Sequence, residues 1–403
     1  MRAPAVHGAF EYETTMPDSQ NVRERAPRKP SNSGVSKKPA ILFVDHTTLP
    51  GGAELALPRI ARHTTANLSF LFLEPAHEAL AFPDETSVSG PRSHLRPTAQ
   101  LRFLRQQLRS GGYDAVVSNT LRAAVLVALV NRGTPHILYL QDGADSNSLS
   151  LAKRLLLRFL VLPRVSRVFT NSSWTSWSLG TRHSSKIAPP VFSPSGVVVR
   201  SQLASNNPKD DEQSQHAPLR LLSLSRVVEW KGLHVVLEAL EILRNTIDAD
   251  AVTFTIAGAN LMGPDDYLRN LKTRAERLPF DIRFVGHQDD VASLLTNHDV
   301  LVHASVRPEP FGQVIVQGLA AGLAVIASND GGPAEILRDG ISGLLHEPGN
   351  AADLAAKIQL LVHEPALRRQ IAEEGLVRAS QFTDAVVVAK LDVQLASAVA
   401  QGE

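Results

Sequence analysis

"RPEPFGQVIVQGLAAGLAVIASNDGGPAEIL", residues 307–337, holds an acid between two prolines, then a helix-like run, an apolar strand and a glycine pair. The acid is Glu309, and it stands just ahead of a helix start. A helix start offers unpaired N–H groups and partial positive charge, so it attracts anions and polar ligands. An ionised carboxylate only accepts hydrogen bonds and suits hydroxyl groups. Amides beside a carboxylate therefore fit a ligand with both hydroxyls and anionic groups, such as a sugar nucleotide. The plainer alternative for a loop acid is a water-facing one.

Outward from this stretch, short apolar runs alternate with helical patterns. In the first half the spacing predicts strands at 40–45, 68–73, 114–118, 136–140 and 166–170. In the second half it predicts strands at 219–225, 251–258, 281–286, 299–305 and 323–328. Such alternation implies parallel sheets covered on both faces. Residues 201–217, "SQLASNNPKDDEQSQHA", read as a linker. The expected plan is a disordered tail (1–39), a first α/β domain (40–200), the linker, a second α/β domain (218–383) and a C-terminal helix (384–403) that packs back on the first domain.

With 403 residues the chain is long enough for two cores. A net charge of +1 gives no polyanion footprint, so nucleic acid is not an expected partner. The absence of cysteine excludes disulfides, thiolate metal sites and a cysteine nucleophile. No signal-like core or run of about 18 apolar residues occurs, so the expectation is a cytoplasmic protein.

Ligands of open parallel sheets bind beyond the carboxyl ends of the strands. Six polar or glycine-bearing segments fall there: "HTTLPGGAE", "QDGAD", "RVVEWKG", "GHQDD", "VRPEPFG" and "NDGGPAE". Gly51 and Gly52 either let a phosphate approach the backbone or simply turn the chain into a helix. Arg226 and Lys231 either converge on a diphosphate or are solvated surface cations. "GHQDD" supplies His287, and "QDGAD" supplies Gln141 and Asp142. The acidic "DAD" at 248–250 precedes a strand and sits at the opposite end, so no metal site is expected. From Ser146 to Thr170 the chain carries Lys153, Arg154, Arg158, Arg164 and Arg167 and no acid. The segment 153–167 is either a peripheral membrane or anionic-acceptor contact or a core-packing helix with solvated basic ends.

Together "LSRVVEWKGLHVVLEAL" and "FVGHQDDVASLLTNHDVLVHASVRPEPFGQVIVQGLAAGLAVIASNDGGPAEILRDGISGLL" resemble the retaining glycosyltransferases of family 4. "GGAE" adds the one diagnostic motif of the first half. The resemblance implies a GT-B fold, two Rossmann-like doubly wound domains facing a central cleft. It implies transfer of a hexose from a nucleotide-diphosphate sugar to a glycan, glycolipid or small-molecule acceptor, with no cofactor and no metal. By the same resemblance Glu309 and the amides of Phe311 and Gly312 face the donor sugar. Arg226, Lys231, Gly51 and Gly52 hold the diphosphate, and His287 lies among the donor-binding residues. Gln317 stands where relatives have a second glutamate that grips the ribose. Gln141 stands near a histidine position of many relatives, which leaves Asp142 as the candidate substitute. These two departures keep open an alternative, a non-catalytic sugar-nucleotide or glycan-binding protein on the same scaffold.

Overall fold

The computed structural model describes residues 38–48, 51–75, 80–196, 217–259 and 266–401. Residues 1–37 of the expected tail (1–39) and 201–216 of the expected linker (201–217) lie outside the described residues. Apolar runs too short for helices form the strands, and both sheets are fully parallel.

The first half runs β1 (Ala40–Asp45), α1 (Gly52–His63), β2 (Asn67–Phe72), β3 (Ser87–Ser89), α2 (Pro97–Ser110) and β4 (Ala115–Ser118). It continues through α3 (Leu121–Val130), β5 (His136–Leu140), α4 (Leu151–Leu156), a π-helical turn (Leu157–Val161), α5 (Leu162–Arg164), β6 (Arg167–Thr170) and α6 (Ser173–Ser178). The second half opens with β7 (Leu219–Leu224), α7 (Leu233–Leu243), β8 (Val252–Ala257), α8 (Asp266–Ala275), β9 (Asp281–Gly286) and α9 (Val291–Thr296). Then come β10 (Val300–His303), α10 (Gln313–Ala320), β11 (Ala324–Ser328), α11 (Gly332–Ile336), β12 (Leu344–His346), α12 (Ala351–His363), α13 (Pro365–Ala379) and α14 (Asp384–Ala400).

The sheets are ordered β3-β2-β1-β4-β5-β6 and β12-β11-β10-β7-β8-β9. Read from β9, the second order repeats the first, so each is a doubly wound sheet with one reversal point. The reversals lie between β1 and β4 and between β7 and β10. This is the two-Rossmann-domain GT-B architecture. Two strands escape the sequence reading, β3 and β12. Each has three residues, too few to show a period.

The helix α14 belongs by packing to the first sheet. Val387, Val388, Leu391, Leu395 and Ala398 join the core around Phe43, Phe70 and Tyr139. Burying a large aliphatic side chain contributes about 1.5–3 kcal/mol, so these contacts hold the helix firmly. Asp392 adds bonds from Thr64 Oγ1 and from the amide and hydroxyl of Thr65. Between the two cores Phe192 stacks on Phe311, centroids 5.3 Å apart, and both contact Phe382.

Candidate active site

The reversal point of the second sheet gathers the unusual residues of that half. Beyond β7 the chain passes Arg226 and makes a short 3-10 turn, Glu229–Lys231, ending at Gly232. Gly232 has φ of +69°, and a β-carbon there would sit 1.8 Å from the Ala304 carbonyl oxygen. Only glycine lets this turn lie so close to the end of β10. Trp230 carries both cations, with Lys231 Nζ 4.2 Å and the Arg226 guanidinium 6.0 Å from its ring centre.

Beyond β10 the loop brings back Glu309. Its backbone is pinned by the glycine pair, the Gly332 amide donating to the Glu309 carbonyl at 2.8 Å. A β-carbon on Gly331 would lie 2.3 Å from that oxygen, which explains the pair. The Glu309 carboxylate accepts from Lys231 Nζ. The same oxygen, Oε2, lies 3.3 Å from His303 Nε2 and accepts from Ser305 Oγ at 3.3 Å. Among the described residues Oε1 has no partner, and neither do the amides of Phe311 and Gly312. The site thus holds its acid by one oxygen and leaves the other, with two N–H groups, for a ligand.

Burial alone would raise the Glu309 carboxyl, but Lys231 and His303 hold it well below the usual carboxylate range. It stays ionised under all ordinary conditions. Asp142 faces it from the first domain. The side chain opens to the cleft, yet protein surrounds it closely enough that desolvation pushes its carboxyl up. Glu309 adds to the rise, while Arg226 and Lys153 oppose it. Glu309, Arg226, Lys231 and Asp142 therefore share one electrostatic environment.

On the first sheet the polar side chains at the reversal point are tied up internally. Asn119 Nδ2 donates to Asp45 Oδ2 at 2.7 Å, and Gln141 Nε2 donates to Asn119 Oδ1 at 2.6 Å. Ser193 Oγ then donates to Gln141 Oε1 at 2.9 Å. Gln141 is thus a buried link in a chain of amides. Nearby, Gly51 caps the start of α1, and burial, reinforced by Asp45, pushes the Glu54 carboxyl up to about 7.

Three side chains of the second half cross to the first. Gln313 Nε2 donates to the Gly52 carbonyl at 2.9 Å and contacts Ser193 Oγ at 3.3 Å. Gln317 Nε2 donates to the Ser195 carbonyl at 2.6 Å, so its amide already has a protein partner. Glu335 accepts from the amides of Ser173 and Trp174 at the start of α6, at 2.8 and 2.7 Å. Gly52 is in this contact, against Gln313.

His287 stands apart. It is exposed after the edge strand β9, and its partner is Asp289 at 3.4 Å. Asp248 and Asp250 are exposed before β8, away from the cleft. Among the described residues no group of three or more His, Asp or Glu is arranged to hold a metal ion. The sequence reading missed His303, Ser305, Trp230 and Glu335. His303 and Ser305 had a usable signal: alternate residues leaving a strand share a face, and here that face meets Glu309.

Comparison with known proteins bears on the fold and on the second half of the chain. Residues 206–378 match the model of the family described as Glycosyl transferases group 1. A glycogen synthase of Mycobacterium tuberculosis is 32% identical over 210 residues, 51% of this chain and 49% of that protein. The lipopolysaccharide core biosynthesis glycosyltransferase LpsE of Rhizobium meliloti is 33% identical over 157 residues, 38% of this chain and 43% of its own. The chain spans about half the length of the curated relatives it matches. Among solved structures, Anabaena Alr3699/HepE in complex with UDP is similar with a TM-score of 0.76 and 25% identity. That similarity covers 89% of this chain and 99% of the other. The described chain is thus built on a GT-B fold whose second half, residues 206–378, matches the glycosyl transferases group 1 model.

Proposed function

We propose that this chain is a retaining glycosyltransferase that moves a hexose from a nucleotide-diphosphate sugar to a glycan, glycolipid or small-molecule acceptor without a metal ion. The observation that carries the reading is the meeting of Arg226, Lys231, Glu309 and Asp142 at the second reversal point. Oε1 of Glu309 and the amides of Phe311 and Gly312 suit the hydroxyls of the donor sugar. Lys231 has three N–H donors, so it can keep Glu309 and still reach a phosphate oxygen. With Arg226 it offsets the charge that builds on the leaving diphosphate, the kind of preorganised contact that dominates many catalytic effects. In this reading the departing phosphate oxygen takes the acceptor proton, and Asp142 orients the sugar from across the cleft. The relative solved with UDP makes uridine diphosphate the first nucleotide to try. The names of the relatives span storage and surface glycans and leave the acceptor open.

The test is donor turnover with a panel of nucleotide sugars, first without acceptor and in excess chelator. Release of nucleoside diphosphate under these conditions supports the reading. Turnover that chelation abolishes and magnesium or manganese restores would overturn its metal-free part. The second reading, a non-catalytic nucleotide-sugar-binding protein, is favoured by the protein partners that Gln141 and Gln317 already have. Tight nucleotide binding with no turnover on any donor would establish it.

A further inference from the structure

The helix α4, its π-helical turn and α5 run on as one helix from Leu151 to Arg164. Leu157, Val161 and Leu162 face inward and pack with Leu138, Leu140 and Val168. At about 100° per residue, Leu162 in an unbroken α-helix would align with Leu155, on the outer side. The wider π turn rotates it back to the core. What remains outside is an apolar stripe. Leu151, Leu155, Leu156 and Phe159 lie on it with exposures of 69%, 46%, 43% and 62%.

By the same rotation Lys153 flanks one side of the stripe, and Arg154 and Arg158 flank the other. Among the described residues none of these three is in an ion pair with a carboxylate. No acid occurs between Ser146 and Thr170 to neutralise them. Exposed leucines and a phenylalanine gain only where water is excluded, and the flanking cations gain only near negative charge. A second copy of this helix would bring like charges together along both flanks. One helix of this length also offers far less than the ~800 Å² per partner of a stable protein interface.

The geometry points to a docking face for an anionic lipid surface, with the apolar stripe lowered into the headgroup boundary and the three cations against lipid phosphates. Among the described residues no helix is long and apolar enough to cross a membrane, so the contact is peripheral. Lys153, whose charge is felt at Asp142, marks the end of the helix nearest the cleft. Docking therefore sets the cleft close to the lipid surface. The inference is independent of the proposed transfer reaction, because it rests on the exposed stripe and its flanking cations and not on Glu309 or Lys231.

The test is co-sedimentation of the full chain, without nucleotide sugar, with vesicles of phosphatidylcholine alone or mixed equally with phosphatidylglycerol. The protein is expected to pellet with the mixed vesicles at low salt and to be released as salt rises. Replacing Lys153, Arg154 and Arg158 together by Gln, or Phe159 by Ser, is expected to lower partitioning at least tenfold. Circular dichroism of each variant checks that the helix is intact. A chain that stays in the supernatant with mixed vesicles at low salt overturns the proposal, as does binding indifferent to both changes. Equal binding to phosphatidylcholine alone overturns the electrostatic part. A dimer that Phe159→Ser dissolves would assign the face to self-association instead.

Discussion

The two sheets have the same strand order and the same kind of reversal point, yet they are furnished in opposite ways. The first point holds Asp45, Asn119, Gln141 and Ser193, which bond in a linear relay from Ser193 to Asp45. The second holds Lys231, His303 and Glu309, which converge on a single oxygen and leave its neighbour open. A fold fixes where a ligand can sit, but the side chains decide which half does chemistry. Here the first half gives an internally bonded wall and Asp142, and the second gives Arg226, Lys231 and Glu309.

That contrast can be broken most directly at Glu309. Glu309→Gln keeps the shape but removes the charge that Lys231 and His303 compensate. Loss of one preorganised polar contact typically costs a factor of about 100–1,000 in turnover. Donor turnover should fall by that much, with nucleotide affinity largely kept. Near-normal rates would move the chemistry elsewhere.

Arg226→Ala comes next. The residue is exposed and its contact is the Trp230 ring, so thermal unfolding should not change. Turnover should drop about a hundredfold if the guanidinium faces the leaving diphosphate. A drop accompanied by lost stability would instead make Arg226 a structural partner of Trp230.

A smaller effect belongs to the first half. Because the folded Glu54 carboxyl titrates at about 7, the native chain keeps a proton that the unfolded chain releases near its ordinary value. Stability attributable to this group therefore falls as pH rises from about 4 to about 7. In Glu54→Gln that fall is absent. Between about pH 5 and about pH 8 the variant should gain roughly 2–3 kcal/mol on the parent, read by denaturant unfolding. Parallel pH profiles would mean that Glu54 titrates as an ordinary carboxyl.

The smallest change is Gln317→Glu. It removes the donor to the Ser195 carbonyl and sets two acceptors face to face, which should cost about 1 kcal/mol in the ligand-free protein. Denaturant unfolding measures it. Higher stability would show that the crossing bond does not matter, and would leave the side chain available to a ligand.

In the second half the sequence marked the loops that meet at the reversal point, and in the first half only an outline was legible. In "VRPEPFGQ" and "NDGGPAE" the glycines and prolines fix the backbone locally, so the position of Glu309 follows from neighbours in sequence. Gln141 is different. Its partners Asn119 and Ser193 are 22 and 52 residues away, and no local pattern marks a polar side chain that will be buried among others. The sequence marked it only as a departure from a histidine position, with Asp142 as the candidate substitute, and did not show its bonds to Asn119 and Ser193. The partners of Gln317 and Glu335 lie even farther off, in the other half, and could not be read from spacing at all. His287 also lies in a rim loop, after the edge strand β9, and its partner there is Asp289.

The packing of α14 has a consequence for how the molecule is made. A ribosome delivers the first sheet's strands early, and domains usually fold as they emerge. Here the core of that sheet includes Val387, Val388, Leu391, Leu395 and Ala398, which are translated after the whole second sheet. Until then Phe43, Phe70 and Tyr139 lack part of their cover. The half that is born first is therefore completed last, and a nascent chain stalled before Asp384 would carry an exposed apolar face on an otherwise assembled sheet.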